Sequence, residues 1–244
     1  MQHQETLNHR GVMHPISNFT KHFIEYTKTH SPVIDMGCAF GNVTQAALKA
    51  GAQEVIACDM ESKHLLDLQQ KLTVEERQHL KTVQGLFPND FNFLSSSIAG
   101  FYASHIFEFL TGDEVIAALR KIHQWLKSDG KLFIVCYTPY IKELDNHKTK
   151  TEYQHRKISG NPWPGFFKDY NQYADLNNDE IGWDNDSPKD LHLFDKAVLT
   201  RAVEDASFVV EYAEYQNGKA DGSVPEYHWF DGRECIAIIA TPKK

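Results

Sequence analysis

The sequence predicts an α/β fold, in which a mostly parallel β-sheet is flanked by helices. Short apolar, β-branched runs alternate with segments of helical periodicity, and this alternation is typical of parallel strands joined by crossover helices. The chain has 244 residues, of which 41% are hydrophobic and 12% aromatic, so it can bury a sizeable core. We therefore expect one domain over residues 1–244, with an insertion.

Seven segments have the apolar, β-branched composition of strands. They are residues 32–36, 54–58, 80–86, 98–104, 132–138, 208–215 and 234–240. The sequence contains no internal repeat and no low-complexity tract, so these segments are expected to form one sheet.

Five segments have helical features. After the fourth strand, Thr111 and Glu114 have the spacing of a capping box, and an apolar stripe follows as far as Leu126. Gly130 is expected to end this helix. Asp195 is the expected N-cap of a later helix. Residues 1–30 form an N-terminal segment with a helix over 15–30, and further helices are expected over 42–50 and 61–72.

Residues 140–189, after the fifth strand, do not follow this alternation. Long irregular stretches inside a compact domain are usually functional lids or disordered segments. A high aromatic content favours a folded lid here. After Tyr140, its first residue, the aromatic residues of this stretch are Tyr153, Trp163, Phe166, Phe167, Tyr170, Tyr173 and Trp183. We interpret this insertion as a substrate lid, with Trp163, Phe166 and Phe167 as candidates for lining it or for packing within it.

The overall charge bears on the partners of the chain. The formal net charge is −8, and no basic stripe is present. Binding to nucleic acid or to an anionic membrane is therefore not expected. A small-molecule partner is expected, and the oligomeric state is left open.

The cysteines and histidines show neither a disulfide framework nor a metal site. Cys38, Cys58, Cys136 and Cys235 are isolated within or beside apolar runs, so buried, reduced thiols are expected. The thirteen histidines form no H-E-x-x-H motif, and no cysteine and histidine cluster has zinc spacing, so no metal is predicted. The N-terminus lacks a signal-peptide pattern, and no apolar run could span a bilayer, so we expect a cytoplasmic protein.

The residues after the first strand indicate a nucleotide-type cofactor. Asp35 is followed by the small-residue loop 37–41, after which the helical pattern begins. Small residues let a ligand approach the backbone, and a helix N-terminus presents N–H groups to a carboxylate. Asp59 ends the second strand, where an acid can accept hydrogen bonds from both hydroxyls of a ribose.

The glycine spacing distinguishes between two cofactor classes. Dinucleotide sites favour G-x-G-x-x-G, which places a pyrophosphate on the helix N-terminus. Here Gly37, Ala39 and Gly41 alternate, with Asp35 two places before the first glycine. This spacing disfavours a nicotinamide-dependent oxidoreductase.

Residues 33–41, Val-Ile-Asp-Met-Gly-Cys-Ala-Phe-Gly, resemble the first motif of class I S-adenosylmethionine-dependent methyltransferases, D/E-x-G-x-G-x-G. Ala39 replaces the middle glycine. Residues 90–93, 103–110 and 126–132 are similar to the D-L-P-F, S-H-V-L-E-H-L and L-K-P-G-G-x-L segments of that family, in the same order. The resemblance covers residues 31–137 and implies a Rossmann-like sheet of seven strands whose last strand is antiparallel.

The resemblance also implies the cofactor and its contacts. S-adenosylmethionine would be the methyl donor and S-adenosylhomocysteine the product. Asp35 would anchor the methionine end, Asp59 would bind the ribose, and Met60 would pack on the adenine. Four loop residues would line the methionine and the ribose, namely Gly37, Cys38, Ala39 and Gly41.

Adenine recognition departs from the family pattern. The acid that commonly follows the third strand is absent, and Leu86 and Phe87 occupy its place. Asp90 or backbone groups could substitute for it. The predicted cofactor contacts also include Phe87 and, at the end of the fourth strand, Ser104.

His105 is the candidate general base, because it follows the fourth strand at the carboxyl edge, where ligands bind in open α/β sheets. In the family that the sequence resembles, this histidine is frequent without being the usual base, so structural support is the preferred role of His105 and no catalytic residue is assigned. Glu108 would support His105 or start a helix. Methyl transfer depends mainly on alignment and needs a base only if the acceptor must lose a proton. The predicted function is methyl transfer to a small molecule, and the alternative is a non-catalytic cofactor-binding protein.

Overall fold

The computed structural model describes residues 4–7, 12–173 and 189–244. Its main sheet has seven strands: Val33–Met36 (β1), Val55–Asp59 (β2), Leu80–Gln84 (β3), Ile98–Ser104 (β4), Leu126–Tyr137 (β5), Phe208–Gln216 (β6) and Cys235–Pro242 (β7). The strand order is β6-β7-β5-β4-β1-β2-β3. Only β7 runs antiparallel to its neighbours, β5 and β6. The predicted fold class is therefore confirmed.

Eight helices accompany the described strands: Asn18–Thr27 (α1), Asn42–Lys49 (α2), Ser62–Lys71 (α3), Val74–Gln78 (α4), Gly112–Trp125 (α5), His147–Ile158 (α6), Lys196–Asp205 (α7) and Gly218–Asp221 (α8). The five predicted helices are all present. Sequence reasoning missed α4 and α8, which are short, and α6, which is too polar to show an apolar stripe.

The C-terminal boundary predicted for α5 was wrong, although its N-terminus is confirmed. Thr111 and Glu114 form the expected capping box. The helix ends at Trp125, and Leu126 already has the extended conformation of β5. Gly130 lies within β5, where an added Cβ would be 3.0 Å from the carbonyl oxygen of Ala99. This glycine therefore permits close approach of β4 rather than ending a helix.

A hydrophobic core lies on each face of the sheet. On one face, α5 and α7 pack through residues such as Trp125 and Leu199. On the other face, α1, α2 and α3 pack through residues such as Phe23 and Leu68. Consecutive β1 residues alternate between the two cores, with Val33 on one side and Ile34 on the other. Helices thus cover both faces of the sheet, so a ligand can reach the strands only at the edges of the sheet.

Between β5 and α7, the described part of the chain has a small core of its own. This core consists of Ile141, Leu144, Tyr153, Phe167, Tyr170, Leu191 and Leu193. Asp195 caps α7 as predicted, since it accepts a hydrogen bond from Val198 N, and it also accepts one from the Tyr153 hydroxyl at 2.6 Å. Asp195 therefore ties α6 to the main domain. Trp183 lies outside the described residues.

His192 is buried in this region in a neutral environment. Its Nδ1 donates to the Leu110 carbonyl at 2.9 Å, and its Nε2 has no hydrogen-bond partner. Aromatic rings surround it, with the Phe194 centroid 4.1 Å away. Burial lowers the pKa of His192 from 6.5 to about 4.

We expect this histidine to make the fold sensitive to acid. As pH falls below 6.5, the unfolded chain takes up a proton that the folded chain refuses until about pH 4, so stability falls through that window. The shift corresponds to about 3 kcal/mol. Urea unfolding at about pH 7.5 and at about pH 4.5 should show this loss of stability. His192→Gln should flatten the dependence, and the exposed His155→Gln should not; equal slopes in all three proteins would contradict the assignment.

Candidate functional site

The loop after β1 is held in an unusual backbone conformation. Gly37, Ala39 and Gly41 have φ values of 68°, 45° and 77°, in the left-handed region. The amides of Gly37 and Cys38 donate to the Cys58 carbonyl at 2.8 and 3.0 Å, which ties the loop to β2. Gly41 is the N-cap of α2 and provides no side-chain cap. The amide of Thr44 is hydrogen-bonded to the Asp35 carboxylate. The amides left for an external acceptor at the start of α2 are therefore those of Asn42 and Val43, which line the cavity.

Asp35 is buried beneath this loop. Its Oδ2 accepts a hydrogen bond from the Thr44 hydroxyl at 2.6 Å, which joins β1 to α2. Burial raises the pKa of Asp35 to about 6, against the effect of the Thr44 hydrogen bond. The Asp35 carboxyl group therefore fixes the start of α2 next to the loop, and its pKa of about 6 lies close to neutral pH.

Asp59 connects three parts of the site at the end of β2. Its Oδ2 accepts from Ala39 N at 2.8 Å, and its Oδ1 accepts from Glu61 N at 2.8 Å. His64 Nδ1 donates to the same Oδ1 at 3.1 Å, while His64 Nε2 accepts from Leu7 N at 3.0 Å. Asp59 thus links the loop, the start of α3 and, through His64, the N-terminal segment. A carboxylate has about four acceptor positions, so one remains.

A cavity opens at the carboxyl ends of β1 and β4. Among the predicted site residues, Asp35, Gly37, Cys38, Ser104 and His105 line it. The other lining residues come from the N-terminal segment and from the β6 and β7 side of the sheet. They include Met13, His14, Ser17, Gln216, Ser223 and Cys235. Cavity and loop therefore coincide at the edge that the sequence predicted.

The remaining predicted residues lie around this cavity or away from it. Met60 is exposed beyond the end of β2. Phe87 is instead buried in the core, with its ring 5.9 Å from that of Phe107. Asp90, considered above for adenine recognition, accepts a hydrogen bond from Leu86 N at 2.8 Å. Asp90 is therefore already used to shape the turn after β3.

A group of polar and aromatic side chains lies beside the cavity, and two of them, His14 and His105, line it. His105 has a φ of 56°, and its Nδ1 donates to Glu108 Oε1 at 3.0 Å. Tyr137 N donates to the same oxygen at 2.7 Å. The Tyr137 hydroxyl is hydrogen-bonded to His14 Nε2 at 3.2 Å. We call His14, His105, Glu108 and Tyr137 the histidine wall. His14 and Tyr137 were missed because no local pattern joins them to His105.

The described part of the insertion does not line this cavity. Trp163 packs near Arg201, whose guanidinium carbon is 4.9 Å from its ring centroid. Phe167 belongs to the separate small core, and Phe166 contacts His192. The N-terminal segment covers the cavity instead, through Met13 and His14. Since residues 174–188 lie outside the described part, the lid assignment stays a prediction.

A parallel sheet with one antiparallel strand, a turn of small residues after β1 and an acid ending β2 together define the class I methyltransferase fold. Residues 33–130 match the family model of a methyltransferase domain. Over these residues the chain is similar to that family, and the resemblance to class I S-adenosylmethionine-dependent methyltransferases is confirmed. No curated protein sequence matches the chain.

Solved structures share this fold at low sequence identity. An S-adenosylmethionine-dependent methyltransferase from Mesorhizobium loti has a TM-score of 0.64 and 16% identity, over 90% of this chain and 94% of that one. The CcbJ methyltransferase from Streptomyces caelestis has a TM-score of 0.62 and 15% identity, over 92% and 94%. The glycopeptide N-methyltransferase MtfA, solved with S-adenosylmethionine, has a TM-score of 0.57 and 11% identity, over 92% and 86%.

Three further findings concern the described residues alone. None of their helices is both long enough and apolar enough to cross a membrane. In the same ranges, no three His, Cys, Asp or Glu side chains are grouped so that they could hold a metal ion. The four cysteines are free and buried, as predicted.

Proposed function

We propose that the chain transfers a methyl group from S-adenosylmethionine to a small-molecule acceptor and leaves S-adenosylhomocysteine as product. The observation that carries this proposal is the left-handed loop 37–41, which lies between a cavity and the buried acid Asp59. Ligands of open α/β sheets bind at this edge. A cytoplasmic location belongs to the same proposal, since four free thiols suit a reducing compartment.

The described residues fit this cofactor at four points. The amides of Asn42 and Val43, at the start of α2, would receive the methionine carboxylate, because a helix N-terminus favours an anion. The remaining acceptor position of Asp59 would bind a ribose hydroxyl. Met60 offers an exposed apolar surface beside the end of β2, where an adenine ring would pack. Gly37 and Cys38 would border the sulfonium end, since they line the cavity.

The protein's part in such a reaction is alignment and exclusion of water. When bound, the cofactor supplies an activated methyl group. The cavity walls would hold the acceptor atom in line with that group, and positioning of this kind accounts for much of the rate in group transfer. The N-terminal segment covers the cavity with Met13 and His14. This cover supports a small acceptor rather than a macromolecular surface.

Ligand-induced thermal stabilisation tests the cofactor. We expect S-adenosylmethionine and S-adenosylhomocysteine, each at about 100 times its Kd, to raise the melting midpoint by about 5 °C or more. NAD at the same concentration should leave the midpoint unchanged. The proposal fails if neither sulfur nucleoside shifts the midpoint, or if NAD does so.

A transfer assay tests catalysis separately from binding. The alternative function is a regulatory protein that binds the cofactor without using it. Labelled S-adenosylmethionine, offered with a panel of small acceptors, should label at least one of them. Binding without any transfer would favour the alternative. The intact loop and the polar histidine wall favour the enzyme.

A further inference from the structure

The histidine wall contains a buried carboxylate that the fold does not explain. Glu108 is 2% exposed, and its Oε1 receives both hydrogen bonds, from His105 Nδ1 and from Tyr137 N. Glu108 also interacts with the buried Cys136 thiol, a weak donor, and its Oε2 has no stronger hydrogen-bond partner among the described residues. A buried carboxylate oxygen with so weak a partner is costly, so it calls for a functional or structural explanation.

His105 is held in a defined and strained arrangement. The hydrogen bond to Glu108 places the proton of neutral His105 on Nδ1, so Nε2 carries the lone pair. The side chain of His105 lines the cavity, and the structure gives Nε2 no partner in the described chain. A φ of 56° is unfavourable for a non-glycine residue. Such strain is characteristic of functional sites.

We propose that His105 is a catalytic base, that Glu108 is its positioning residue, and that the acceptor is a neutral, planar aromatic hydroxyl compound. This inference rests on the proposed methyl transfer. As the acceptor oxygen bonds to the methyl carbon, its proton passes to His105 Nε2. The electron pair of the broken carbon–sulfur bond stays on sulfur in the product thioether. Glu108 stabilises the resulting imidazolium, which then releases the proton to water.

The surroundings of His105 support this acceptor class. The ring centroids of Tyr137 and His14 lie 4.1 and 4.5 Å from that of His105, and the rings of His14 and His105, which line the cavity, offer aromatic faces and edges to a planar ring. Among the described residues that line the cavity there is no lysine or arginine, and Asp35 is the one carboxylate. In the described part of the chain, the titratable groups in contact with His105 are Glu108, His14 and Tyr137. These residues supply no cation that would select an anionic acceptor, and the Glu108 carboxylate is already engaged by His105 and Tyr137 N.

The tautomer of His105 can be tested without any acceptor. Nitrogen NMR of the full-length protein, with and without S-adenosylhomocysteine, should show neutral His105 protonated on Nδ1. In Glu108→Gln the proportion of this tautomer should fall. A wild-type His105 protonated on Nε2 would overturn the assignment, because no lone pair would then face the cavity.

The acceptor class and the base are tested by transfer to probes. With labelled S-adenosylmethionine, phenol or catechol should be methylated, and cyclohexylamine should not. His105→Gly suits the left-handed backbone and should lower kcat on the phenol by about 100-fold. Free imidazole should restore part of the rate, because it can occupy the vacated space. His30→Gly, before β1 at the opposite edge of the sheet, is the matched control.

The outcomes separate this inference from the function on which it rests. Absence of S-adenosylhomocysteine binding would remove the proposed function and the inference together. Binding with transfer only to the amine, or to neither phenol nor catechol, would overturn the acceptor class alone. Phenol methylation with full activity in His105→Gly, or a defect that imidazole does not relieve in a folded variant, would overturn the base.

Discussion

Asp59→Ala is expected to abolish S-adenosylhomocysteine binding and to lower the free energy of unfolding. Removing the carboxylate leaves Ala39 N, Glu61 N and His64 Nδ1 without their acceptor. Each orphaned donor at a largely buried position costs about 1–3 kcal/mol, so three of them should cost at least about 3 kcal/mol in total. The ribose would lose its acceptor at the same time.

Calorimetric titration well below the melting midpoint separates the two effects. A folded Asp59→Ala protein should show no heat of S-adenosylhomocysteine binding, whereas urea unfolding reports the stability loss. Asp67→Ala is the control, since Asp67 lies on α3 and forms a surface ion pair with Lys71. It should retain both properties. Retained affinity in folded Asp59→Ala would show that the ribose lies elsewhere.

The parts of the site that the sequence predicted are local in the chain. Asp35 and the loop 37–41 follow one strand directly, and Asp59 ends the strand that pairs with it. Parallel pairing brings the carboxyl ends of both strands to one edge, so their proximity follows from the strand pattern alone. The fold was predictable for the same reason, because strand and helix periodicities are short-range signals.

The parts that were missed depend on tertiary packing. His14 reaches His105 only because the N-terminal segment folds over the cavity, and Tyr137 reaches it only because β5 lies beside β4. Neither contact produces a residue spacing that can be recognised in the sequence.

Gly130 was predicted to end a helix because, in the sequence, a glycine that permits close approach of two strands cannot be distinguished from a glycine that ends a helix. Phe87 follows β3 at the expected place, yet packing against Phe107 turns it into the core.

Gly37→Ala should destabilise the protein through two separable effects. The residue has a φ of 68°, which a side chain disfavours, and an added Cβ would lie 2.0 Å from Ile106 Cδ1 and 2.7 Å from Cγ1. Backbone strain of this kind costs about 1 kcal/mol or more, and overpacking adds about 1–3 kcal/mol. We expect a total of about 3 kcal/mol in urea unfolding, with weakened binding of S-adenosylhomocysteine because the loop must shift.

Two companion variants separate the strain from the clash. Gly160→Ala has a similar φ of 77° and nothing within 4 Å of an added Cβ, so it should show the backbone cost alone. In the double variant Gly37→Ala with Ile106→Ala, both clashing atoms are gone, so the coupling energy between the two sites should be favourable. Additive losses in that cycle would mean that Ile106 does not require glycine at position 37. Glycine would then be required at position 37 by the backbone conformation of the loop and by the close approach of the ligand.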